Sequence, residues 1–129
     1  MIWKTCFLVA ALAAGTGLAV MTGGYINATI TDPEVQDAMK FALVKHNEGT
    51  NDMFLRQVAR VIKAEQQLVS GMNYRFTVDL GKTACRKGGV KTECPIHEDP
   101  QLAQTYRCTF VVYRHWRGTT SLTSTQCVI

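Results

Sequence analysis

Apolar residues follow three patterns along the chain. Between Thr5 and Met21 they are almost continuous. From Val35 onward they recur at Val35, Ala38, Met39 and Ala42 and run on towards His46, the spacing of one helix face. Beyond Gly49 the pattern becomes strand-like. It is cleanest from Met72 to Leu80, where Tyr74, Phe76, Val78 and Leu80 face one way and Asn73, Arg75, Thr77 and Asp79 the other.

Local signals bound these elements. Thr31-Asp32-Pro33-Glu34 offers a cap, a proline for the first helical position and an acid in the first turn. Phe41, Leu43 and Val44 widen the apolar stripe, and Gly49 is a natural stop. The prediction is one helix, Pro33 to Glu48. Strands are predicted at Phe54–Leu68, with a bulge where the phase slips near Val61-Ile62, and at Met72–Leu80, Tyr106–Arg114 and Ser121–Val128. Val69-Ser70-Gly71 is a short turn. A short first strand around Tyr25–Ile30 completes the set. Residues 81–104 carry Gly88-Gly89, Pro95 and Pro100 and are expected to form an irregular connection. One long helix packed on a five-stranded antiparallel sheet is an α+β layout.

The first segment is outside that fold. Lys4, a short apolar run and then small residues make the order of a secretory signal peptide. The stretch is at the short limit for a membrane span, and its second half is rich in glycine. Residues 1–19 are therefore expected to be cleaved after Ala19, with Gly17 or Ala13 as alternative sites, leaving 20–129 as one secreted, extracellular domain. Cleavage removes Trp3, so Trp116 becomes the sole tryptophan.

Composition narrows the chemistry. The chain has 129 residues, 47% of them hydrophobic, enough for a single core. The formal charge of +4 is scattered, without a basic run or basic amphipathic helix, so neither nucleic acid nor a membrane surface is an expected partner. Of five cysteines, Cys6 leaves with the signal. Cys85, Cys94, Cys108 and Cys127 are then an even set in a small secreted domain, the pattern of two disulfides. Sequential pairing is the expectation: Cys85–Cys94 closes the irregular connection, and Cys108–Cys127 faces across the last two strands. That facing pair centres the second turn between Arg117 and Gly118, with His115 and Trp116 at its tip. No C-x2-C pair suggests zinc, and no metal or cofactor is expected. With the thiols paired, and with His46, His97 and His115 isolated along the chain, no catalytic constellation emerges.

Apolar residues at turns are unusual, because turns favour polar residues. Leu68-Val69 and His115-Trp116 are both at turns, and tryptophan is enriched among binding hot spots.

These residues resemble those of type 2 cystatins, secreted inhibitors of papain-like cysteine peptidases. Gln67-Leu68-Val69-Ser70-Gly71 matches the family's Q-x-V-x-G loop, Gly23 its N-terminal glycine and Trp116 the tryptophan of its second hairpin. The four cysteines match in order. His115 stands where the family usually has proline, which implies a softer second loop. The resemblance implies reversible, competitive inhibition. Gly23, residues 67–71, His115 and Trp116 would wedge into the cleft of cathepsin L-, B-, S- and H-type peptidases. Thr50-Asn51-Asp52 resembles a motif by which some members inhibit legumain, making Asn51 a candidate contact. Asn27-Ala28-Thr29 is a sequon, making Asn27 a candidate glycosylation site, but it lies four residues from Gly23, where a glycan would hinder docking, so non-use is the expectation. A monomer able to form strand-swapped dimers is expected. The competing expectation is a secreted binding module of the same fold that inhibits no peptidase.

Overall fold

The computed structural model describes residues 24–89 and 93–129. The predicted signal peptide and Gly23 lie outside the described residues. In chain order the elements are β1 (Ile26–Asn27), α1 (Pro33–Gly49), β2 (Phe54–Val69), β3 (Gly71–Arg86), α2 (Pro100–Ala103), β4 (Tyr106–His115) and β5 (Thr120–Val128). The strands form one antiparallel sheet in the order β1-β2-β3-β4-β5.

Helix α1 starts where its cap predicts. The Asp32 side chain accepts the Glu34 N–H at 3.0 Å, and Pro33 opens the first turn. It runs one residue past the predicted end, because Gly49 stays in the helix and Thr50 caps it. The described glycines that do take positive φ are Gly71, Gly88 and Gly118.

The helix lays Val35, Ala38 and Ala42 on the sheet face made by Tyr74, Phe76, Val78 and Leu80 of β3 and Cys108, Phe110 and Val112 of β4. All are buried. Each large side chain buried there contributes about 1.5–3 kcal/mol by leaving water. The opposite face of β3 carries Arg75 and Asp79, paired with Glu65 and Arg107 at 2.8 Å each.

Strand β2 slips register between Val61 and Lys63, the bulge expected at Val61-Ile62, and twice more nearer Phe54. Both disulfides form as expected, Cys85–Cys94 and Cys108–Cys127. Cys108 faces Cys127 across β4 and β5, and one register shift beyond Val111 then moves the turn slightly towards β4.

Several boundaries differ from expectation, and the predicted Val69-Ser70-Gly71 turn shrinks to Ser70 because Val69 and Gly71 pair with each other. β1 is only two residues long. β3 continues past Leu80 to Arg86, because the first residues of β2 pair with it there: Gln57 with Gly81, Arg56 with Lys82 and Phe54 with Arg86. Thr83 bridges Ile96, and the Thr83 hydroxyl donates to the Leu55 carbonyl at 2.9 Å. The expected irregular connection also contains α2, capped by Asp99, whose side chain accepts the Gln101 N–H. Finally, His115 belongs to β4 rather than to the turn tip: its N–H donates to the Thr119 carbonyl at 2.8 Å.

Arg56 secures the end of the sheet remote from the β2–β3 turn. It is 5% exposed. Its Nη1 donates to the carbonyls of Gln104 (2.9 Å), Ala103 and Leu80 (3.4 Å each), and its guanidinium stacks 4.2 Å from the centre of the Tyr106 ring. Asp52 supplies the counter-charge at 3.5 Å. The Asn47 amide, at the end of α1, grips the Arg56 backbone on both sides. A buried guanidinium stripped of such partners would be strongly destabilising.

Candidate inhibitory edge

Two hairpin turns meet at one end of the sheet. The first joins β2 to β3 through Ser70 alone, with Val69 paired to Gly71. The second joins β4 to β5 through residues 116–119. Gly71 is paired with His115, which sets the turns side by side.

Glycine is required at position 71 for two reasons. Its φ is +130°, a conformation L side chains rarely adopt. A Cβ there would also collide with the Arg114 carbonyl and lie 2.9 Å from the His115 Cα and 3.0 Å from the Trp116 nitrogen. The two hairpins therefore touch backbone to backbone.

The apolar residues at the turns point outward. Leu68 is 77% exposed and Trp116 72%, and Val69 is exposed beside them. Trp116 is thus not a lid folded onto the sheet. The Trp116 indole contacts the His115 ring edge-to-face at 5.6 Å, and a shallow depression lined by Glu34, Leu68, Tyr74, Arg114, His115 and Trp116 lies between the turns and the start of α1. Gln67 is half-buried, and its Oε1 accepts from the Asn73 amide at 3.3 Å. Ser70 is exposed, and its carbonyl accepts the Tyr113 hydroxyl at 2.5 Å.

His115 is tied into its turn by three hydrogen bonds. Its N–H is bonded to Thr119, its carbonyl accepts the Gly118 N–H at 2.8 Å, and its Nδ1 accepts the Arg117 N–H at 3.1 Å. Two of these bonds, to the Thr119 carbonyl and from the Arg117 N–H, need a residue with an N–H and a side-chain acceptor, which proline lacks.

Asn51 lies elsewhere. β2 separates it from the turns by about 50 Å of strand at 3.3 Å per residue. It is exposed, between two anchored neighbours. The Lys87 ammonium donates to the Thr50 carbonyl and hydroxyl at 2.9 Å each, and the Asp52 carboxylate accepts the Phe54 N–H at 3.2 Å. Asn27 is exposed on β1, opposite Glu65 of β2.

Among the described residues, the remaining titratable groups form no reaction centre. His46 is 8% exposed, deeper than its position on the stripe suggested, and shares a 2.9 Å hydrogen bond with the Tyr106 hydroxyl. Burial, then Arg56 and Lys87, hold its pKa below the ordinary histidine value. Cys108 and Cys127 lie beside it, but their sulfurs are bonded to each other and do not act as metal ligands. Among the described residues no helix is long and apolar enough to cross a membrane.

Comparison with known proteins accords with this geometry. The cystatin domain family matches residues 23–116. A cystatin of Oncorhynchus keta is 47% identical over 126 residues, covering 97% of both chains. Cystatin-C of Paralichthys olivaceus is 48% identical over 123 residues, covering 94% of this chain and 96% of that one. Dimeric human cystatin F superposes with a TM-score of 0.72 at 28% identity, over 83% of this chain and 87% of that one. The chain belongs to the cystatin family. It is a type 2 cystatin, an inhibitor of cysteine peptidases and not an enzyme.

Proposed function

We propose that this cystatin is secreted and blocks papain-like cysteine peptidases, of the cathepsin L, B, S and H type, by reversible, competitive insertion of its two-turn edge into the active-site cleft. The observation that carries this reading is the exposure of Leu68, Val69 and Trp116 on turns held side by side by the Gly71–His115 pairing. Exposed apolar side chains on a preformed edge gain burial on docking and lose little conformational freedom. Gly23 would turn the N-terminal segment past the catalytic thiol, and no peptide bond would be cut. Gln67 would brace the first loop through Asn73.

The test is inhibition of papain by the wild type and by Trp116→Ala. A hot-spot tryptophan is worth about 2 kcal/mol or more, roughly a thirtyfold weaker inhibition constant. Tryptophan emission should also move to the blue on adding papain whose active-site thiol is blocked. No inhibition by the wild type would favour a binding module without inhibitory activity, and unchanged inhibition by Trp116→Ala would overturn the wedge reading.

A second reading concerns Asn51. Its exposure at the far end of β2, between the anchored Thr50 and Asp52, supports a separate contact for legumain. Asn27 is exposed on an edge strand, so the sequon is accessible, and this exposure argues against the expected non-use. Strand-swapped dimers would form if the Ser70 turn opened and joined β2 to β3.

A further inference from the structure

The Gln67–Gly71 loop and Trp116 sit on different hairpins, and for both to enter one cleft their spacing must be fixed. Backbone pairing of Gly71 with His115 aligns the bases of the turns. It leaves the first apex, Ser70, free to hinge, because Ser70 lies outside both strands. Tyr113 reaches that apex. It is paired with Asn73, and its hydroxyl crosses to the Ser70 carbonyl at 2.5 Å. Its ring meets the His115 ring edge-to-face at 6.0 Å, and His115 meets Trp116 in the same way at 5.6 Å. A continuous chain of contacts therefore runs from the first apex through Tyr113 and His115 to Trp116.

We propose that Tyr113 is a positioning residue that latches the two hairpins into one rigid wedge, with its hydroxyl fixing the Ser70 carbonyl and its ring braced by His115 against Trp116. The proposal rests on the wedge reading above. The peptidase does not need to touch Tyr113. The latch acts in the free inhibitor, which then meets the cleft with its turns already in register. Without it, the turns must be aligned during binding, and the ordering cost falls on affinity. The bridged carbonyl also keeps a hydrogen-bond partner when water leaves the edge.

The latch makes a prediction that a plain structural role does not. Tyr113→Phe removes one oxygen and keeps the ring against His115. It should weaken papain inhibition roughly three- to tenfold, the range of one net hydrogen bond. Alignment matters only while both turns dock. In a Trp116→Ala background, Tyr113→Phe should therefore cost less than twofold. This double-mutant cycle isolates coupling between the hairpins. An equal loss in both backgrounds would mean that Tyr113 serves the first loop alone, and would overturn the latch. So would no loss in either background when Trp116→Ala by itself weakens inhibition. A Trp116→Ala variant as potent as the wild type would instead overturn the wedge reading, and the latch with it.

Discussion

Gly71 and His115 face each other across β3 and β4 with no room for a side chain on the glycine. One position thus serves a left-handed turn and the contact of two hairpins. Gly71→Ala should suffer on both counts. The backbone strain costs about 1–3 kcal/mol, and relieving the collision must push the second turn away. Denaturant unfolding should show the lost stability. Inhibition of papain should fall further than stability does, because the spacing of the turns changes. Normal inhibition by Gly71→Ala would disprove the close packing.

Replacing His115 by proline, the family's usual residue, should not improve this protein. Proline has no N–H for the Thr119 carbonyl and no acceptor for the Arg117 N–H. Losing two bonds of about 1 kcal/mol each outweighs the entropy gained in the unfolded chain. A lower melting temperature and weaker inhibition are expected. Tighter inhibition would show that turn stiffness, not these bonds, limits affinity.

Acid should destabilise the fold in two windows. His46 has its folded pKa lowered, first by burial and then by Arg56 and Lys87. The unfolded state therefore takes up a proton first as pH falls below about 6.5, and the stability of the neutral buried imidazole is lost from there down to its folded pKa. Glu65 and Asp79 act lower. Hydrogen bonds from Arg75 and Arg107 depress their pKa values, so their contribution is present above the ordinary carboxylate range and lost on acidification through it. Unfolding midpoints between pH 7.5 and 5.5 should fall for the wild type and stay nearly level for His46→Gln. Parallel slopes would remove His46 as the cause.

Inhibition of two peptidase classes should be separable. Asn51→Lys is expected to abolish legumain inhibition and leave papain inhibition within twofold, because β2 keeps the two regions apart. Assays with both peptidases decide it: joint loss would indicate one shared surface, and a wild type inactive on legumain would dismiss the second contact.

The elements governed by local periodicity were legible in the sequence. The 3.6-residue stripe of α1 and the alternation from Tyr74 to Leu80 each report a buried face directly, and Leu68, Val69 and Trp116 stood out because turns seldom carry apolar residues. What escaped depends on partners distant in the chain. β3 passes Leu80 because the start of β2 pairs with it as far as Arg86, and Ile96 comes back to bridge Thr83. His46 is deep because Tyr106 and Phe110 close over it. Tyr113 falls on the polar side of β4, where nothing local distinguishes it from its neighbours, and only the fold brings Ser70 to its hydroxyl. The bonds of the His115 turn likewise depend on where Thr119 returns.

The fastening around Arg56 and the Cys85–Cys94 bridge bears on how the molecule withstands proteolysis. Gly88 and Gly89 are exposed, so a peptidase that cuts beside small residues has an accessible bond there. Cutting it falls inside the loop closed by Cys85 and Cys94, and the halves stay joined through sulfur. Arg56 still holds the returning chain at Ala103 and Gln104. The two turns lie at the other end of the sheet, so a nicked inhibitor should travel as one piece until reduced and keep its edge intact.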